Sequence, residues 1–227
     1  MFKKLLLTSA LLATFASAHA QSSQNFGVTG TVSPAPCNVT LTNGVANLGS
    51  LSQATVKGYP VNTATSNSLY TIPTLNVPIS IVCGAATKVE VSFVDNKPGK
   101  NIPMDTFDAL RFGITDGAGT AAIGAYQMSF VTATTTIDSV PVGLFLNAPN
   151  GTTTWSKTVA GTPTTNNFIA PNYATGFAKS TTATIPESIT TLSGTLAIQT
   201  FLAKTYIDSA TSAISPTGSG TLTLAYL

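Results

Sequence analysis

The chain has 227 residues, of which 43% are hydrophobic and only 8% charged, with 10 Lys+Arg against 8 Asp+Glu and 1 His. So sparse and balanced a charge excludes the basic patch that nucleic acid requires and the polybasic stretch that holds a protein on an anionic membrane surface. The polar surface must come mainly from Thr, Ser, Asn and Gly, a mixture that favours strands joined by tight turns.

Taken in chain order, the first element is an export signal over residues 1–20. Lys3 and Lys4 supply its positive start, Leu5 to Ala16 its apolar stretch, and Ala18-His19-Ala20 a small-x-small cleavage site. The apolar stretch is too short to span a bilayer, and no later segment is long and apolar enough to be a membrane span. Cleavage leaves residues 21–227 as a single domain with eight basic residues against eight acidic ones and no histidine.

Short alternating runs separated by turn residues follow, the pattern of an all-β sandwich. Phe26 to Val32 alternates, with Phe26, Val28 and Val32 on one face, until Pro34 and Pro36 stop it before Cys37. Asn38 to Leu41 and Ala46 to Leu51 flank Asn43-Gly44, which predicts a tight hairpin. Leu69 to Cys83 is a long strand interrupted near Pro73 or Pro78, with Val77, Ile79, Ile81 and Cys83 on its core face. Gly84-Ala85-Ala86 then predicts a hairpin corner leading to Val89, Val91 and Phe93, again inward.

Ala109 to Thr115 and Ala121 to Thr132 bracket Asp116-Gly117-Ala118-Gly119 as another hairpin. Residues 147–193, rich in Thr, Asn and Pro, read as long loops with one or two minor strands. Regularity returns at Gly194 to Leu202, with Leu196, Ile198 and Leu202 on one face, and at Gly220 to Leu227, with Leu222, Leu224 and Tyr226 on one face. No helix-period segment of convincing length follows the signal.

Cys37 and Cys83 are the only cysteines, and an even pair in an exported chain is most simply a disulfide. They stand 46 residues apart, and closing such a loop contributes about 4 kcal/mol in the chain-entropy model.

Three stretches in this order carry a family resemblance: Gly30-Thr31-Val32 with Cys37, Ile79-Ser80-Ile81-Val82-Cys83, and Phe201 to Tyr206 followed by a Gly-rich gap and a terminal strand with penultimate Tyr226. Together they resemble the bacterial pilins assembled by the chaperone–usher route. The Ala225-Tyr226-Leu227 ending looks most like a pilin-like family of exported proteins associated with fimbrial genes. The resemblance implies an immunoglobulin-like, pilin-type sandwich with long Thr/Asn-rich loops and one disulfide, lacking its last strand. A periplasmic chaperone and then neighbouring fimbrial subunits would supply that strand by β-strand addition. On this basis Leu222, Leu224 and Tyr226 would line the acceptor groove, and the Leu227 carboxylate would anchor the chaperone. The implied location is the periplasm or a fimbrium at the cell surface, and the implied role is adhesion.

Enzyme chemistry has little to work with. The mature chain lacks the histidine base of the common serine and cysteine hydrolases, and it lacks the ligands of a histidine or four-thiolate zinc site. Gly117-Ala118-Gly119 has Ala122 where a dinucleotide fingerprint needs glycine. Asp105 and Asp108, with Asp95, could form a carboxylate pair or hold calcium, but their spacing matches no calcium loop and solvated loop carboxylates are the favoured reading. No catalytic residue, metal or cofactor is therefore expected. The competing function is a self-complete exported sandwich that binds a ligand without polymerising, although Trp155 is the sole tryptophan. If Phe26 to Val32 serves as the domain's own first strand, Gln21 to Asn25 is a short extension for donating a strand of about 5–6 residues plus linker.

Overall fold

The computed structural model describes residues 36–42, 44, 46–49, 51–63, 67–105, 108–157 and 167–227. The signal segment and the expected first strand with Phe26, Val28 and Val32 lie outside the described residues. The described chain is all-β. Its main strands are β1 (Cys37–Leu41), β2 (Leu69–Thr71), β3 (Leu75–Thr87), β4 (Val89–Asp95), β5 (Arg111–Thr115), β6 (Ala122–Phe130), β7 (Leu144–Pro149), β8 (Tyr173–Ala178), β9 (Ile189–Ala203), β10 (Thr217–Gly218) and β11 (Gly220–Tyr226). They build two antiparallel sheets, a large one ordered β1-β3-β9-β6-β5-β10 and a small one ordered β7-β8-β4-β11.

Alternation explains the large sheet. In β3, Val77, Ile79, Ile81 and Cys83 are buried, while Val82 stands exposed on the outer face. Pro78 is tolerated inside this strand because β1 pairs with it only as far as Leu41↔Ile79, so the missing N–H falls beyond the end of that ladder. Cys37 and Cys83 sit directly opposite each other in the β1–β3 register and are joined by the disulfide. The β5–β6 hairpin forms as expected. Asp116 closes its turn by accepting the backbone N–H groups of Thr120 at 2.8 Å and Ala121 at 3.2 Å.

Three expectations need correction. First, Ala46–Gly49 and Leu51 belong to no strand and pair with no strand among the described residues, although Ala46 and Leu48 are half-buried and Asn47 and Gly49 exposed. Second, β3 continues through Gly84-Ala85-Ala86 to Thr87, and β4 lies in the other sheet, so Cys83 is mid-strand and not at a hairpin corner. Third, residues 147–193, read as long loops with one or two minor strands, hold the end of β7, the start of β9 and the whole of β8, and β8 is no minor strand but an inner one of the small sheet. Its sequence, Tyr-Ala-Thr-Gly-Phe-Ala, conceals it because the strand is covered on both faces and therefore does not alternate. Trp155 and Pro186 cover the outer face at Gly176, where a Cβ would lie 2.3 Å from the proline ring. Two helices of five and six residues, α1 (Gln53–Lys57) and α2 (Lys204–Ser209), are too short to leave a helical period in the sequence; they are tied by the Gln53 amide donating to the Ile207 and Ala210 carbonyls at 2.7 and 3.1 Å. Among the described residues, no helix is long and apolar enough to cross a membrane.

An aromatic cluster clamps the sheets together. Phe130 of β6 stacks on Phe145 of β7 at 5.0 Å and meets Phe177 of β8 edge-on at 5.4 Å, and all three are buried. Phe130→Ala is expected to cost about 3–5 kcal/mol in urea unfolding, the range for a large aromatic lost from a packed core.

A second tie is electrostatic. Asp138 and Ser139 have φ of 49° and 66°, forming the tight turn between Thr136–Ile137 and Val140–Pro141. Partial burial pushes the Asp138 carboxyl up. Hydrogen bonds from the Thr190 hydroxyl, Lys179 Nζ and the Thr191 and Thr190 N–H groups outweigh this and hold it below the usual carboxylate range. A carboxyl with a lowered folded-state pKa stabilises the fold above its unfolded value, about 3.9, and that contribution is lost as the pH falls further. Asp138→Asn should therefore lower the melting temperature at neutral pH and flatten its decline below about pH 4, as thermal scans across that range would record.

Candidate functional site

The small sheet ends at β11. This strand pairs along its whole length with β4, from Gly220↔Asp95 to Tyr226↔Val89. At its two ends the Asn96 N–H donates to the Ser219 carbonyl and the Leu227 N–H to the Lys88 carbonyl, each at 3.1 Å. Antiparallel pairing alternates, so Thr221, Thr223 and Ala225 direct their N–H and C=O groups toward β4. Gly220, Leu222, Leu224 and Tyr226 direct theirs away from it, and among the described residues no strand pairs with that edge. Gly220–Tyr226 carries no charge, no proline and no bulge, the usual devices that blunt an exposed edge.

Beside this edge runs a cleft of about 670 Å³. Its lining includes Leu41 of β1, Val77 of β3, Leu196 and Ile198 of β9, Met128 of β6, Ile114 of β5 and Thr217 of β10, a contribution from each of the six strands that form the main path of the large sheet, in spatial order. Phe93 of β4 and Leu222 of β11 contribute from the small sheet. β11 follows the same course: Gly220 comes directly after β10, and at the far end the Tyr226 hydroxyl accepts the Cys37 N–H of β1 at 2.8 Å. Five strand spacings amount to roughly 24 Å, which is also about the length of a seven-residue strand. The open edge and its apolar floor therefore run together across the width of the large sheet.

Leu222 and Leu224 are half-buried against the main core, whereas Tyr226 and Leu227 are 43% and 46% exposed. The structure places Leu222 in the cleft wall, Leu224 further along the same strand, and Tyr226 beside the disulfide. Reading the sequence alone missed the floor residues Ile114, Met128 and Phe93 as a group, because cross-strand neighbours come from distant parts of the chain. It also missed Tyr126, which lines the cleft and stacks on Phe112 at 5.0 Å. Burial, with the Asp95 charge adding to it, pushes the Tyr126 hydroxyl above the ordinary tyrosine range, so it stays a neutral hydrogen-bonding group. Gly218 is required there, since a Cβ would stand 2.8 Å from the Tyr126 ring.

The carboxylates do not form one group. Asp105 grips Arg111 through two bonds of 2.8 Å, and Asp108 adds a third of 2.6 Å. The guanidinium is buried and lies 5.4 Å from the Phe201 ring centroid. Asp95 instead accepts the N–H groups of Gly113 and Lys97, each at 2.9 Å. Trp155 packs on Leu144, Leu146, Ala178 and Ala183 outside the small sheet, away from the cleft lining.

Compared with known proteins, the chain matches no family model and no curated protein. Among solved structures, the P pilus rod subunit PapA aligns over 89% of this chain and 100% of that chain, with 12% identity and a TM-score of 0.35. Likeness at that level is too loose to bear on function.

Tyr226→Phe removes the hydrogen bond from the Cys37 N–H at the start of β1 to the end of β11. It should cost about 1 kcal/mol in equilibrium unfolding and speed amide exchange at Cys37 while leaving the core untouched.

Proposed function

We propose that this protein is an exported, pilin-like structural subunit, with an immunoglobulin-like sandwich completed by a β-strand from another chain at the β11 edge. One observation carries the reading: an uncharged strand edge, unpaired among the described residues, runs above a cleft with an apolar floor that crosses the six main strands of the large sheet. Four residues offer eight outward backbone groups there, and an incoming strand would satisfy them while its alternate side chains enter the cleft. Such an edge is a liability in a free monomer, which is a reason for a periplasmic chaperone to hold it before a neighbouring fimbrial subunit does. In that scheme Leu222 and Leu224 are the acceptor strand, Tyr226 and Leu227 lead the chaperone contact, and surface adhesion is the product of assembly. The disulfide suits an oxidising compartment outside the cytoplasm.

A second reading draws on the Tyr226–Cys37 bond and on the half-burial of Leu222 and Leu224, which favour a sandwich stable by itself. That protein would be a periplasmic or secreted binding module that does not polymerise.

The two readings differ in one assay. A polymerising subunit runs as SDS-resistant ladders that collapse on boiling. Leu222→Pro should abolish them by removing an outward N–H without touching the β4 ladder. Deleting Tyr226 and Leu227 should remove co-purification with a periplasmic chaperone. A monomer that unfolds in two states, forms no ladder and needs no chaperone would establish the second reading instead.

A further inference from the structure

The wall formed by Ala46–Gly49 and Leu51 has a feature that the strands lack. Ala46 and Leu48 are half-buried against the core while Asn47 and Gly49 are exposed, the two-residue alternation of a strand. Among the described residues, however, its backbone takes part in no ladder, and its one hydrogen bond is internal, from the Gly49 N–H to Asn47 Oδ1 at 2.8 Å. Among the described residues, what holds this wall is the packing of Ala46, Leu48 and Leu51 against the core. At its ends the chain is fixed, by the Thr42 N–H donating to the Pro78 carbonyl at 2.9 Å and by Ser52 capping α1. Between those anchors Gly44 and Gly49 have φ of +44° and +68°, with open space around both.

We propose that Ala46–Gly49 with Leu51 is a displaceable strap. It screens the apolar floor of the cleft in the unassembled protein and is pushed aside when a strand pairs with β11. This rests on the reading that the β11 edge accepts a strand. The physical reason is a difference in kind between the two occupants. The strap covers apolar surface but leaves the outward groups of Leu222 and Leu224 unpaired. A strand covers the same surface and pairs those groups as well, so it displaces the strap, whereas an apolar molecule with no backbone to offer gains only what the strap already supplies. The strap therefore sets a barrier to entry and a preference for extended peptide.

The test uses the full mature protein and a fluorescent synthetic peptide spanning Asn25 to Ser33, which carries the alternating Phe26, Val28 and Val32. Leu48→Ser and the milder Leu48→Ala should each raise the association rate roughly tenfold, about the value of half a leucine's burial, with dissociation unchanged within about twofold. Val82→Thr, on the outer face of β3 and outside the cleft lining, should leave both rates alone. In the wild-type protein, hydrogen exchange at Ala46–Gly49 should accelerate when peptide is saturating, while the Leu222 and Leu224 amides become protected. That measurement decides the matter even if the Leu48 variants fold poorly. Binding with unchanged rates in the Leu48 variants, or a strap whose exchange slows on binding, would overturn the strap and leave the acceptor edge standing. Peptide that binds none of the proteins would overturn the acceptor edge, and the strap with it.

Discussion

The architecture depends on a mismatch between its two sheets. The large sheet presents an apolar inner face from β1 to β10, and among the described residues the small sheet has four strands with which to cover it. Buried backbone polar groups must be paired, so a sheet can be extended only by another strand; side chains alone do not suffice. Where β11 stops, the small sheet runs out of strands before the large sheet runs out of apolar face. The edge groups of Leu222 and Leu224, the cleft beside them and the strap across it all follow from that shortfall.

The two ends of the sandwich meet this constraint differently. Toward β7 and β8, Phe130, Phe145 and Phe177 close the gap with large rigid rings, and a further layer around Trp155 seals the outer face of the small sheet. Toward β11 the described residues form no comparable three-ring cluster, and the apolar lining is mainly aliphatic, with Phe93 and Tyr126. Elsewhere the few charges are spent on structure. Arg111 is neutralised by two carboxylates, and Asp138 ties the tight turn after Ile137 to β9. A chain with so little charge on its surface also has little with which to protect an exposed edge by repulsion.

Where the sequence is legible, one physical signal explains why. Val77, Ile79 and Ile81, and likewise Val89, Val91 and Phe93, alternate because one face of each strand is buried and the other is not. The same rule misleads at both extremes. In β8, burial on two faces erases the alternation and small residues replace it. At Ala46 to Leu48 the alternation is real, but it comes from packing against the core without pairing, so a strand was expected where the chain forms a strap. The Gly84-Ala85-Ala86 stretch has the composition of a turn, yet β3 runs through it to reach the opposite sheet.

By itself, then, the sequence determined the all-β class, the pairing of its only two cysteines and which face of each long strand is apolar, because each of these depends on neighbours along the chain or on a count of one residue type. Which strands lie side by side, where the small sheet stops, and that Leu222 shares a cleft with Leu41, Val77 and Ile114 were decided only by the tertiary structure. These depend on contacts between segments up to 189 positions apart, as Cys37 and Tyr226 are, and no local pattern encodes which distant edge a strand will find.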